Sequence, residues 1–337
     1  MNRLKIHVIA EEFVGEANGV TTAILELIES LKNDSFFELV DRIEDADIIH
    51  AHTIGLDYIR KSYKYKSKMI VSAHVIPDSF IGSLIFSRLW QPLAKIYLKY
   101  VYNRSREVIA VSPFVKLELE KINVTSKIHV LCNSVNRDKF KENDLLRSEF
   151  RKKYNLSNEF VVTCVGQIQP RKGIYDFIEA AKLCPDITFL WVGGTPFKGL
   201  TAEYNKLQDV VKNAPKNIIF AGIVDFKDMP AYYAMSDVYF MPSFQENFAF
   251  ATIEASSVKL PLLLRDNVEY PSSLFTHYLK GKNANDFANE LNRLKTDSDY
   301  FQHWRNESET LAGKYSLKSY MQQLKDIYLG VFEKINS

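Results

Sequence analysis

Short apolar runs alternate with helix-period stretches along nearly the whole chain. In the first half the runs are LKIHVIA, ADIIHAHT, MIVSAHV, EVIAVS and KIHVLC. In the second half they are FVVTCVGQI, ITFLWVGG, NIIFAGIV, DVYFMP and LPLLLR. Runs of this length without strict alternation suit strands buried on both faces of a parallel sheet. Between them, residues 21–31, 175–183 and 202–212 carry apolar residues at helical spacing. Strand and helix in repeated alternation predict parallel sheets covered by helices. Two such series predict an α/β protein of two doubly wound domains, residues 1–150 and 151–315. The charged, weakly apolar stretch 136–158 reads as a short helix and linker between them. A long amphipathic pattern follows at 317–335, and residues 316–337 are expected to pack back on the first domain.

Composition adds limits. A chain of 337 residues has room for two cores, and 46% apolar with 25% charged residues is ordinary for a soluble globular protein. No apolar run approaches the ~18 residues of a spanning helix. The opening MNRLKIHVIAEEFVG has a short apolar stretch and then two acids, which reads as a first strand and not a secretion signal. Cys132, Cys164 and Cys184 are scattered among apolar neighbours and fit no metal spacing, as expected of reduced core thiols in the cytosol. The net charge of +2 hides an asymmetry. From Arg60 to Arg106 the basic residues are Arg60, Lys61, Lys64, Lys66, Lys68, Arg88, Lys95, Lys99, Arg104 and Arg106, against the single acid Asp78. A basic block in a nearly neutral chain points to an anionic surface as partner.

Candidate chemistry gathers at strand ends. Glu246 follows the run VYFMP, and Glu254 stands eight residues later in the helical ATIEASSV. Carboxylates accept hydrogen bonds from adjacent hydroxyls, so such a pair suits a nucleotide sugar; the plainer alternative is a loop glutamate and a solvated helix glutamate. After FVVTCV comes GQIQPRKG, where Arg171 and Lys172 precede a helix start suited to a diphosphate. No Gly-Lys-Ser/Thr follows, so this is not a P-loop. WVGG at 191–194 and AGIVD at 221–225 end further strands with glycines that admit a close ligand. In the first half Gly19 opens a helix that Asn18 or a nearby threonine would cap. His74 ends a strand in VSAHVIPD. His50 and His52, two apart in IIHAHT, point to one side of their strand but lack a third ligand for a metal.

Taken together and in order, these signals resemble the retaining glycosyltransferases of family 4, which have the GT-B fold. The resemblance runs over nearly the whole chain and rests on Gly19-Val20, IIHAHT, SAH, VGQIQPRKG, VGG, GIVD and the Glu246–Glu254 pair. Within the second domain, RKGIYDFIEAAKL, GIVDFKDMPAYYAMSDVYFMPSF and LPLLLRD…YLKG are similar to bacterial enzymes that add a second hexose to a monoglycosyl-diacylglycerol. The resemblance implies two Rossmann-like domains facing a central cleft. It implies that Lys172 and Arg171 hold the diphosphate of a UDP-sugar, that Glu246 holds sugar hydroxyls and stabilises charge at the anomeric carbon, and that Glu254 binds the ribose. Backbone N–H groups near Phe248, Ala249 and Phe250 would approach the phosphates, Gly19 would line the donor site, and His74 would lie near the transferring sugar. Two departures stand out. Gln167 replaces a frequent arginine, and Asn247-Phe248-Ala249 replaces a frequent Gly-Phe-Gly.

The acceptor side is read from residues 81–106. At about 100° per residue, Arg88, Lys95, Lys99 and Arg106 form one stripe. Ile85, Leu89, Trp90, Leu93, Ile96, Tyr97, Tyr100 and Val101 form a broad opposite arc, with Pro92 as a kink or a second start. Arg88, Trp90, Lys95, Lys99 and Arg106 are therefore candidate membrane-binding residues at an anionic bilayer. Nothing resembles a nucleic-acid platform. The expectation is a peripheral enzyme of the cytoplasmic membrane face that transfers glucose from UDP-glucose to a monoglucosyl-diacylglycerol. No cofactor is expected to be tightly bound, and Mg2+ would assist only with the donor. The alternatives are a UDP-galactose donor, a polysaccharide-precursor acceptor, a UDP-sugar epimerase, or a non-catalytic UDP-sugar sensor.

Overall fold

In β3, Ile48, Ile49, His50 and Ala51 are all buried, the pattern of a strand covered on both faces. A computed structural model describes residues 3–10, 19–80, 87–195 and 203–336; for residues 80 and 87–90 it describes the backbone only. The first sheet contains β1 (Leu4–Ile9), β2 (Phe37–Leu39), β3 (Ile48–Ala51), β4 (Met69–Ala73), β5 (Glu107–Ala110) and β6 (Lys127–Val130). The second contains β7 (Phe160–Val165), β8 (Ile187–Val192), β9 (Ile218–Gly222), β10 (Val238–Met241), β11 (Leu262–Arg265) and β12 (Leu279–Gly281). The strand orders are β2-β1-β3-β4-β5-β6 and β12-β11-β10-β7-β8-β9. All pairings are parallel. Two doubly wound α/β domains result, as the alternating pattern predicts. The three-residue strands β2 and β12 are additions to the ten apolar runs.

Each sheet is buried on both sides. One face of the first packs Ile49, Val71 and Val108 against Tyr58, Leu98 and Val101. The other packs Ile6, Ile48, Ile70 and Ile109 against Leu27 and against Leu324, Tyr328 and Val331 of the helix Leu317–Asn336. The Tyr328 hydroxyl meets His50 Nδ1 at 2.7 Å, so that helix is also held by a polar contact. In the second domain Phe177 stands edge-on to Phe189 and Trp191 and stacks on Phe240. Aromatic pairs in these geometries add to the burial of their area.

The helix Ser87–Tyr102 runs through Pro92 without a second start. It buries a narrow stripe of Ala94, Leu98, Val101 and Tyr102. Leu93, Ile96, Tyr97 and Tyr100 are exposed beside the exposed Lys95 and Lys99. Of the arc expected opposite the basic stripe, the described side chains are thus exposed, apart from Val101. Arg106 is corrected. The helix ends at Tyr102, where Asn103 Oδ1 accepts from the Thr125 and Ser126 amides. Arg106 lies just before β5 and donates to the Lys334 carbonyl at 3.2 Å, at the carboxyl end of the last helix. Terminal carbonyls lack intrahelical donors and carry partial negative charge, which explains the attraction. Ile85, like Asn18 and the acids after the first strand, lies outside the described residues, as do the side chains of Arg88, Leu89 and Trp90.

Candidate functional site

The loops after β7 and β10 meet where the strand order of the second sheet reverses, the edge at which open parallel sheets bind ligands. After β7 the chain turns through Pro170–Lys172 and enters the helix Ile174–Leu183. Gly173 forms the junction at φ 77° and ψ 28°. A Cβ there would stand 2.2 Å from the Pro242 carbonyl oxygen, so the two loops touch backbone to backbone. That contact sets Lys172 beside Glu246. Lys172 Nζ donates to Glu246 Oε1 at 2.6 Å, with only 15% and 8% of the two side chains exposed. Burial alone would raise the Glu246 carboxyl; Lys172 and Arg171 outweigh it and hold it below the usual range. Burial depresses Lys172 in turn. Arg171 Nη1 donates to the Gln245 carbonyl at 2.6 Å, so it also braces the loop that presents Glu246.

Glu254 sits in the helix Phe250–Ser257 and is buried. Its Oε2 accepts from the Tyr233 hydroxyl at 2.6 Å. Burial pushes its pKa up to about 7, against the Tyr233 hydrogen bond and with a small push from Glu26. At that helix start the Phe250 N–H is taken by the Phe248 carbonyl at 3.2 Å. Among the described residues, the N–H groups of Phe248 and Ala249 meet no acceptor, and Ala249 caps the helix with no side-chain bond. Two of the three amides expected to approach phosphates are thus open, and the third is engaged.

The first domain meets this edge directly. Asn247 Nδ2 donates to the His74 carbonyl at 2.7 Å and to Ser79 Oγ at 2.8 Å. Phe248 packs against the cores of both domains. A Cβ on Gly19 would lie 3.6 Å from the Phe250 ring, so the helix Gly19–Asn33 also reaches the cleft. His74 Nε2 and His52 Nδ1 lie 3.0 Å apart, and the His52 ring stands 4.4 Å from that of His50. Burial lowers all three histidines, His50 to about 3 and His74 to about 4, so they are neutral at physiological pH. Among the described residues no cluster of metal-ligating side chains occurs.

The structure thus gathers Gly19, His74, Arg171, Lys172, Glu246, Phe248, Ala249, Phe250 and Glu254 around one cleft between the domains. Arg88, Trp90, Lys95 and Lys99 belong to the helix Ser87–Tyr102, which packs on the turn Pro77–Phe80. Sequence reading missed Glu269, whose Oε1 accepts the Glu246 N–H at 2.7 Å. It also missed Tyr233 as the partner of Glu254. It took Asn247 only as a lost glycine, whereas the side chain ties the two domains together. The position of Glu269 after the run LPLLLR, on the same edge, was the available signal.

A ligand that donates hydroxyls to Glu254 should bind this cleft in a pH-dependent way. A hydroxyl donates best to an ionised carboxylate, and in the free protein that form dominates only above pH 7. For a nucleotide-sugar ligand, affinity should rise up to ~10-fold per pH unit below 7 and level off above it. Calorimetric titration between pH 5.5 and 8.5 measures this, and Glu254→Gln should flatten the profile. A flat wild-type profile would remove Glu254 from the ligand contacts.

Comparison with known proteins agrees with this geometry. Residues 147–310 match the family Glycosyl transferases group 1, and residues 29–139 match Glycosyltransferase Family 4. The alpha-galactosylglucosyldiacylglycerol synthase of Streptococcus pneumoniae is 29% identical over 97% of this chain and 89% of its own. The processive diacylglycerol alpha-glucosyltransferase of Acholeplasma laidlawii is 31% identical over 74% of this chain and 75% of its own. Among solved structures, Anabaena Alr3699/HepE in complex with UDP and glucose superposes with a TM-score of 0.79, at 15% identity, covering 97% of this chain and 99% of that one. The fold is therefore GT-B, and the chain belongs to the family 4 glycosyltransferases.

Proposed function

We propose that the protein is a retaining hexosyltransferase that moves glucose from UDP-glucose to the sugar of a monoglucosyl-diacylglycerol, forming diglucosyl-diacylglycerol at the cytoplasmic face of an anionic membrane. The observation that carries the donor half is the buried Lys172–Glu246 pair at the sheet's switch edge, with Glu254 on the following helix. In this reading Glu246 accepts hydrogen bonds from the sugar and stabilises positive charge at the anomeric carbon. Lys172 neutralises the leaving diphosphate, the open Phe248 and Ala249 amides donate to its oxygens, and Glu254 takes the ribose hydroxyls. The bond from the anomeric carbon to the diphosphate breaks while the acceptor oxygen attacks the same face. The acceptor proton passes to a departing phosphate oxygen. The protein supplies position and charge, and no protein nucleophile is used. Magnesium, when carried by the donor, would serve as a counter-ion of its diphosphate.

The acceptor half is supported by the two diacylglycerol-directed relatives and by the exposed face of Ser87–Tyr102. Leu93 and Ile96 are 67% and 66% exposed, and Lys95 and Lys99 are exposed on the same helix. Among the described residues no helix is long and apolar enough to cross a membrane, so contact through such a face fits a peripheral protein. A second reading keeps the site and changes the donor to UDP-galactose; the name of the Streptococcus pneumoniae relative favours it. Vesicles containing monoglucosyl-diacylglycerol, incubated with labelled UDP-glucose or UDP-galactose, separate the two. A labelled diglycosyl product is expected, and its absence with both donors would sink the proposal. Lysines near an anionic surface contribute about 1 kcal/mol each, so Lys95→Ala with Lys99→Ala should weaken partition to anionic vesicles ~30-fold. Vesicle sedimentation measures that loss, and unchanged partition would remove this face from membrane contact.

A further inference from the structure

Three side chains at every second position, starting from the last residue of β11, take over where the pairing of β10 with β11 stops. Arg265 Nε donates to the Pro242 carbonyl at 2.9 Å. Asn267 Nδ2 donates to the Ser243 carbonyl at 2.8 Å. Glu269 Oε1 accepts the Glu246 amide N–H at 2.7 Å. Backbone pairing ends one residue before this series, with Met241 opposite Leu264. All three side chains are buried, while Val268 between them is exposed. The loop that presents Glu246 therefore rests on side chains instead of a neighbouring strand.

Glu269 is the outermost of the three and the one that holds Glu246 itself. Glu246 is gripped at both ends: its carboxylate by Lys172 and its amide by Glu269. Among the described residues Glu269 has no cation within ion-pair distance, although only 5% of it is exposed. Burial pushes its pKa up, and the nearby Glu246 charge adds to that, against its hydrogen bonds to backbone amides and the attraction of Arg171. A carboxylate kept in such a place is costly. What is gained here is an acceptor of the right reach for the Glu246 N–H, which lies 2.7 Å from Glu269 Oε1.

We propose that Glu269 is a positioning residue for glycosyl transfer: it fixes the backbone at Glu246 and so the placement of that carboxylate against the sugar. This rests on the role of Glu246 in the proposed function. Two variants separate reach from charge. Glu269→Gln keeps the length and an acceptor oxygen but removes the charge. Glu269→Asp keeps the charge but is one methylene too short for the amide.

Misplacing a reacting group by about 1 Å costs on the order of 10²-fold in rate. Glu269→Asp should therefore lose ~10²-fold in kcat with donor KM within about threefold, while Glu269→Gln stays within about fivefold of wild type. Both are assayed as full-length protein, with thermal melting and calorimetric UDP titration to report fold and donor site. If Glu269→Asp is as active as wild type, or Glu269→Gln is the weaker of the two, the positioning role is overturned. Glu246→Gln runs alongside as the control. If it is active, the role of Glu246 fails; if it is inactive while Glu269→Asp is fully active, only the present inference fails.

Discussion

Replacing Glu246 by Gln should lower kcat by about 10²–10³-fold, the usual loss when a preorganised group facing developing charge is removed. The substitution keeps size and hydrogen-bonding atoms but deletes the negative charge. It also strands the Lys172 ammonium, which is only 15% exposed and has Glu246 as its 2.6 Å partner. Breaking a buried pair on one side costs about 3–5 kcal/mol of stability, so a rate loss alone would be ambiguous. The double variant Glu246→Gln with Lys172→Gln removes both charges and should recover most of that stability. It should recover none of the activity. Thermal melting and steady-state kinetics on the two variants read the two effects separately. A kcat for Glu246→Gln within tenfold of wild type, in a folded protein, would rule out the assigned role.

Gly173→Ala should be strongly damaging to the second domain. An alanine held in the left-handed region costs about 1–2 kcal/mol. Its Cβ would also lie 2.2 Å from the Pro242 carbonyl oxygen, a backbone atom that cannot swing away. Forcing the two loops apart adds about 1–3 kcal/mol. A total of about 2–5 kcal/mol is expected from denaturant midpoints. Activity should fall as well, because the displaced backbone carries Arg171 and Lys172. Gly222→Ala is the matched control. Gly222 has φ 73°, and a Cβ added there would meet nothing within 4 Å, so it should lose only the about 1–2 kcal/mol of backbone strain. Equal losses at the two positions would show that the loop contact is not tight.

Most of the fold was legible because buried parallel strands leave continuous apolar runs, and ten of the twelve strands among the described residues do so. β2 and β12 are three residues each at sheet edges, too short for any period to register. The glutamate pair was legible because Glu246 follows a recognisable strand and Glu254 lies in a recognisable helix. Glu269 was not, since a single acid in a turn looks like any solvated loop residue, and its bond to a backbone amide has no sequence pattern. Asn247 misled for a related reason: a residue that fills the place of a glycine reads as a loss until its interdomain partners, His74 and Ser79, are seen. Arg106 misled because angular periodicity carries no stop signal. The stop lies in Asn103, whose side chain serves the loop at Thr125–Ser126 in place of its own helix.

The packing of Leu324, Tyr328 and Val331 against the first sheet has a consequence for biosynthesis. Ribosomes add about 5–20 residues per second, and domains usually mature in the order in which they emerge. Here one face of the first sheet, covered in part by Leu27 and Leu31, stays incomplete until roughly 190 further residues have followed β6, a wait of about 10–40 s. The elements of the second domain are contiguous and meet no such delay. The half made first is therefore the half completed last, and its incompletely covered isoleucine face is where a nascent chain of this protein most needs a chaperone.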